Sequence, residues 1–197
     1  ALMACVDREL GYAGLKSYAW TDGGDAFVVL LFALADGQLE AVIEADRLGQ
    51  LRTGAASAVA ARHLARPGAT RLGVIGCGRQ AVTQIACIRE ALPSLQETVV
   101  YCRDAGRLAA FCREHRCTAA ESHRDAADAD VVVTVTTSRD PVLRGEWLHP
   151  GALVCAVGAN DLRRRELDNA VLERAAFVCC DSREQSRRES EIGRAHV

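Results

Sequence analysis

Six residues constrain this chain more than any others. Gly76-Cys77-Gly78-Arg79-Gln80-Ala81 follow a short apolar run, Leu72 to Ile75, and open a helical stretch, Ala81 to Leu92, that Pro93 closes. In that setting Gly-x-Gly-x-x-Ala reads as the turn of a strand–turn–helix unit. The first glycine allows a tight turn, the second lets backbone amides approach an anion, and the small last residue lets helix and strand pack closely. The motif alone is weak, and its weight comes from what surrounds it. Beyond Pro67, apolar runs at Glu97 to Cys102, Val131 to Val135, Leu153 to Val157 and Phe177 to Cys180 alternate with helical stretches. Those stretches are Ala105 to His115, behind a capping Asp104, and Glu166 to Ala175. Continuous apolar strands separated by helices predict a parallel sheet covered on both faces. The fold class is therefore α/β, a doubly wound sheet of Rossmann type, with a pyrophosphate expected on the helix N-terminus.

The chain before Pro67 is built differently. Phe27 to Leu34 is strongly apolar, Asp36-Gly37 is a favoured hairpin turn and Leu39 to Ile43 follows, which predicts antiparallel sheet without intervening helices. A small-residue helix, Thr53 to Leu64, comes next and is stopped by Arg66-Pro67-Gly68. These changes divide the chain into a mainly antiparallel part with a linking helix, 1–66, and the doubly wound domain, 67–190. Glu191 to Val197 matches what one reading frame of a common sequencing-adapter oligonucleotide would encode, so 191–197 is expected to be a non-native tail.

Charge narrows the partners. The 24 basic and 26 acidic residues nearly cancel, so no overall field draws the protein to nucleic acid or to a membrane, and small neutral or zwitterionic partners stay open. All the lysine and arginine positions but Lys16 are arginines, so an arginine carries meaning here only through its position. The nine cysteines include no Cys-x-x-Cys pair and the five histidines are scattered, which predicts no metal site. With no signal-peptide pattern, a reducing cytoplasm is the expected setting. Cys102, Cys155, Cys179 and Cys180 read as small buried hydrophobes. Cys77 lies in the glycine turn, where a thiol pKa can be lowered, although a small side chain that fits the turn is the simpler reading.

Several segments together carry a resemblance. They are Leu51-Arg52-Thr53-Gly54-Ala55-Ala56-Ser57-Ala58, the glycine loop, Gly145-Glu146-Trp147-Leu148 with Pro150-Gly151, Ala156-Val157-Gly158, Arg165-Glu166-Leu167-Asp168 and Asp181-Ser182-Arg183-Glu184-Gln185. Over about Gly14 to Glu189 the chain resembles the ornithine cyclodeaminase and mu-crystallin family. The resemblance implies a Rossmann domain for NAD(H) or NADP(H) and a second, substrate-binding domain that forms a homodimer and is built from both chain ends. It thereby implies that 1–66 is only part of that second domain, and that the chain is a piece of a longer enzyme.

Residue roles follow from the same resemblance. Lys16 and Arg52 match positions that hold the substrate carboxylate, a point charge beside a two-pronged donor. An arginine at the start of the Thr53 helix would oppose the helix dipole, which favours a bound anion there. Arg52 and Thr53, together with Gly76, Gly78, Arg79 and Gln80, are expected along the cofactor. Thr136, Val154, Cys155, Ala156 and Val157 lie where two strands end and should border the nicotinamide half. Arg103 follows the second strand of the doubly wound domain and suits a 2′-phosphate, so NADP(H) is expected over NAD(H). Lys16 and Asn160 are the catalytic candidates. Asn160 stands where the family's cyclodeaminases carry a proton-exchanging aspartate, and an amide cannot act as a general acid or base. The expected activity is therefore reduction of a cyclic ketimine carboxylate or oxidation of an amino acid. Cyclisation of ornithine to proline and ammonia is the second reading, and binding of a nucleotide or small molecule without turnover the third.

Overall fold

A computed structural model of the chain describes residues 2–21, 24–159 and 163–190. Its contacts group into two compact units, Ala1–Thr53 and Gly54–Val197. In the first unit four strands run in sequence order as an antiparallel meander: β1 (Leu2–Asp7), β2 (Tyr12–Thr21), β3 (Gly24–Ala33) and β4 (Leu39–Glu44). The expected hairpin turn is present, with Gly37 at φ +74° donating to the Ala33 carbonyl and the Asp36 carboxylate accepting from the Gln38 amide. Helix α1 (Asp46–Leu64) starts before the expected Thr53. Its added turns are polar, and the Gln50 amide donates 2.9 Å to the Asp46 carboxylate one turn back. A search for apolar or small-residue periodicity passes over such a segment. The division between units falls inside α1 and not after it, because Gly54, Ser57, Ala58 and Ala61 are buried within the second unit.

The second unit is the doubly wound sheet. After α1 come β5 (Arg71–Ile75), α2 (Arg79–Ala91), β6 (Glu97–Tyr101), α3 (Ala105–His115), β7 (Thr118–Ala119), α4 (His123–Ala127), β8 (Val131–Thr134) and β9 (Leu153–Ala156). The strands are parallel in the order β7-β6-β5-β8-β9, so the order reverses between β5 and β8, and doubly wound sheets bind ligands at the carboxyl ends beside such a reversal. Alternate residues of each strand feed two cores. Leu72, Val74, Val100, Val131 and Val133 meet Ile85, Ile88, Leu108 and Phe111 on one face. Ile75, Val99 and Val132 meet Ala126, Leu143 and Val171 on the other. Each fully buried Val, Leu or Ile side chain contributes roughly 1.5–3 kcal/mol, which is why these strands read as unbroken apolar runs.

Two expectations fail towards the C-terminus. Phe177 to Cys180 pairs with no strand among the described residues; it is exposed, with Phe177 at 69% and Cys179 and Cys180 also at the surface. Apolar composition announces a strand only if a neighbouring strand is there to pair with it. The helix expected over Glu166 to Ala175 shrinks to α5 (Asn169–Glu173), because the Glu166 carbonyl accepts from the Val142 and Leu143 amides and Asp168 caps the helix start. A last helix, α6 (Arg183–Glu189), is capped by Ser182. Among the described residues no helix is long and apolar enough to cross a membrane.

Candidate dinucleotide cradle and carboxylate site

The glycine loop turns where β5 ends. Gly76 sits at φ +118°, and a Cβ there would come within 2.6 Å of the Val135 carbonyl oxygen, so conformation and space both demand glycine. Gly78 is the N-cap of α2, no side chain caps the helix, and no acidic residue stands in its first turn. A Cβ on Gly78 would meet nothing within 4 Å, which marks open space in front of the helix N-terminus. Gln80 Oε1, in that first turn, is buried without a hydrogen-bond partner. By contrast α3, α4, α5 and α6 are each capped by a side chain, those of Asp104, Ser122, Asp168 and Ser182. An open glycine cradle at an uncapped, positively polarised helix end fits the pyrophosphate of a dinucleotide. Cys77, inside the loop, is no activated thiol: burial, then the neighbouring Cys102 thiol, pushes its pKa up to about 12.

At the end of β6 the adjacent charges part. The Asp104 carboxylate accepts from the Arg107 amide at 3.0 Å as the cap of α3, while Arg103 is exposed. Beside it His123 packs on the Tyr101 ring, centroids 4.4 Å apart, and its pKa is lowered by burial and then by the Arg103 charge. At the ends of β8 and β9, Thr136 and Val157 are half-buried and Ala156 is exposed. Val154 packs into one core, whereas the Cys155 side chain belongs to the other, and burial raises its thiol pKa to about 11. Cys155 therefore has only its backbone to offer a ligand.

One residue in this region escaped sequence reading as a functional group. Glu166 is fully buried, and its carboxylate accepts from Thr134 Oγ1 at 2.9 Å, the Thr136 amide at 2.5 Å and the Gly158 amide at 2.7 Å. The only signal for it was an acidic residue inside one of the motifs that carry the family resemblance. It follows Arg163-Arg164-Arg165 at the start of the expected Glu166 to Ala175 helix, and nothing local marks it as buried.

In the first unit Lys16 lies on β2, opposite Met3 of β1 and Val29 of β3. Its ammonium stands 5.1 Å from the centre of the Tyr18 ring. Burial lowers its pKa, and the Arg52 charge lowers it further. Lys16 thus sits in the field of a second cation. Arg52 sits in the second turn of α1, not at the helix start, so the opposition to the helix dipole expected from sequence does not arise there. Its charge acts instead on Lys16. The Thr53 hydroxyl donates to the Gly49 carbonyl at 2.8 Å. Asn160 lies outside the described residues.

Residues 16–196 match the ornithine cyclodeaminase/mu-crystallin family. The chain belongs to that family. Among family relatives it is 34% identical to an alanine dehydrogenase of Archaeoglobus fulgidus, over 97% of this chain and 62% of that protein. It is also 34% identical to the ketimine reductase mu-crystallin of Rattus norvegicus, over 82% of this chain and 52% of that protein. In structure it is similar to the iminosuccinate reductase of Paracoccus denitrificans solved in complex with NAD+, with a TM-score of 0.89 at 28% identity, over 99% of this chain and 64% of that one. The chain thus spans between about half and two thirds of the length of these family members.

Proposed function

We propose that the protein is an NAD(P)H-dependent reductase of small ketimine carboxylates, reversible towards oxidation of the corresponding amino acid. The observation that carries this reading is the Lys16–Arg52 pair, two cations in mutual repulsion that a substrate carboxylate would relieve. The open glycine cradle of the second unit supplies the complementary recognition of a dinucleotide. When bound, the dinucleotide supplies the hydride that adds to the imine carbon. The protein's part is orientation: Arg52 fixes the plane of the carboxylate and Lys16 its charge, which holds the adjacent imine carbon in one attitude. The names of the relatives, an alanine dehydrogenase and a ketimine reductase, support amino-acid and imine chemistry.

NADP(H) is proposed as the preferred cofactor. Asp104 is engaged as a helix cap and Arg103 is exposed, so the end of β6 presents a cation where an NAD-specific site needs an acid. The working unit is proposed to be a homodimer in the cytoplasm, an assembly supported by the exposed apolar residues of the first unit, Leu2, Met3, Val6 and Val42 among them. The test is consumption of NADPH with cyclic five- and six-membered ketimine carboxylates, compared with the same rings lacking the carboxylate. Turnover that needs the carboxylate and is lost in Arg52→Ala is expected. Equal turnover with and without the carboxylate would overturn the reading.

A further inference from the structure

We infer that Glu166 is the positioning residue for the nicotinamide end of the dinucleotide. The inference rests on the dinucleotide reading above. Beyond the Thr134–Ala156 pair the β8–β9 ladder ends, with the Val157 amide giving its last bond to the Thr134 carbonyl. The Thr136 and Gly158 amides lie just past the end of that ladder, and one carboxylate accepts from both. Oε1 takes the Thr136 amide; Oε2 takes the Gly158 amide and the Thr134 hydroxyl. Backbone amides can only donate, so the group that joins them must accept on both oxygens, which a carboxylate does and a carboxamide cannot. The fit is close. A Cβ on Gly158 would lie 2.2 Å from the Thr136 carbonyl oxygen and 2.6 Å from Glu166 Oε1. Glu166 is itself held from behind, where its carbonyl accepts from the Val142 and Leu143 amides and Leu143 is fully buried.

The consequence reaches the crevice through the backbone. The segment Val135–Thr136, fixed by Glu166, is the wall against which Gly76 turns, with the Val135 oxygen and the Thr136 methyl nearest to it. One buried acid therefore sets the spacing of the β8 end from the β9 end, on the side of the crevice away from β6. Carboxyl ends on that side of the reversal point face the nicotinamide half of a dinucleotide, while the adenine half lies towards β6. Loosening the clamp should disturb the nicotinamide and spare the rest of the ligand.

The experiment compares two ligands on Glu166→Gln and on Thr134→Val, the second variant removing one donor at almost constant volume. Binding of 2′-phospho-ADP-ribose, which lacks nicotinamide, is measured by calorimetry; binding of NADPH is followed by the fluorescence of its reduced ring. Glu166→Gln is expected to weaken NADPH about tenfold and to lower the fluorescence enhancement of the bound ring, with the affinity for 2′-phospho-ADP-ribose within about twofold of the parent. Thr134→Val should show the same pattern at about threefold, and carries the test if Glu166→Gln does not fold. Equal losses for both ligands, or none for either, would overturn the inference by showing that Glu166 supports the fold alone. If the unmutated protein binds neither ligand, the dinucleotide reading falls and takes this one with it. If it binds both but reduces no ketimine, the positioning role stands and only the proposed reaction falls.

Discussion

Arg103 and Asp104 are neighbours with opposite charges and separate tasks. The Asp104 carboxylate is spent on the α3 cap, and the exposed Arg103 is the residue proposed to meet a 2′-phosphate. Arg103→Ala is expected to cut the preference for NADPH over NADH by about tenfold, read as the ratio of kcat/KM values. An unchanged ratio would remove Arg103 from cofactor choice. Lys16 permits an unusually direct measurement, being the only lysine of the chain: lysine labelling gives a single ammonium signal. Burial and the Arg52 charge both lower its pKa. Removing Arg52 takes away one of those causes, so Arg52→Ala should raise the titration midpoint of that signal, and a bound carboxylate should raise it too, since an anion favours the charged form. A midpoint that does not move in either case would dissolve the proposed carboxylate pair. At Gly76, alanine would meet both a φ of +118° and the Val135 oxygen. The expected cost is about 1–3 kcal/mol of stability, readable as a fall in Tm, together with loss of dinucleotide binding.

At the scale of elements, two buried acids hold the ends of β8. Glu166 joins its carboxyl end to β9, and Asp130, just before its first residue, joins the sheet at the other end. Asp130 accepts from the Thr70 amide at 2.7 Å and the Arg71 amide at 2.9 Å, at the start of β5, and pairs with Arg66. Burial alone would push its carboxyl up, but those amides and the Arg66 guanidinium together bring it below the ordinary aspartate value. A carboxyl whose folded pKa is lowered adds stability that is fully present above the unfolded value, about 3.9, and disappears as pH falls through the folded one. Asp130→Asn is therefore expected to destabilise the protein near neutrality and to flatten the acid side of a Tm-against-pH curve. A parallel shift of the whole curve would show that its charge is irrelevant. The apolar runs and helix caps that define these elements were legible in advance, and α3 with its Asp104 cap is present as expected. The ties between elements were not: Asp130 and Glu166 are single acids whose partners lie up to 64 residues away.

At the scale of the whole molecule, apolar surface lies exposed in both units. Every residue of β1 is exposed, and Leu2 and Val6, on one face of that strand, are exposed at 72% and 61%. Apolar sheet of this kind is stabilised by a covering surface, and the dimer proposed above would provide one. Leu2→Ser with Val6→Ser is expected to shift the protein towards monomer in sedimentation, leaving the Rossmann unit folded as judged by dinucleotide binding. An unaltered sedimentation coefficient would place the interface elsewhere. The exposed Phe177 to Cys180 segment is the counterpart in the second unit, a strand-like sequence with no strand beside it among the described residues.

What the chain's sequence determined by itself was everything that depends on near neighbours. The glycine loop between Ile75 and the α2 helix, the apolar runs of β5, β6, β8 and β9, the Asp36-Gly37 turn and the Asp104 cap each follow from residues a few positions apart, where backbone geometry and periodicity act directly. Tertiary structure decided what depends on packing across the chain. It made Glu166 a clamp and not the first turn of a helix, and it left Phe177 to Cys180 unpaired and exposed. It also set Arg52 to act on Lys16 across 36 positions of sequence. A buried charge is stable only where its partners converge, and that convergence is a property of the folded chain, so no local pattern announces it.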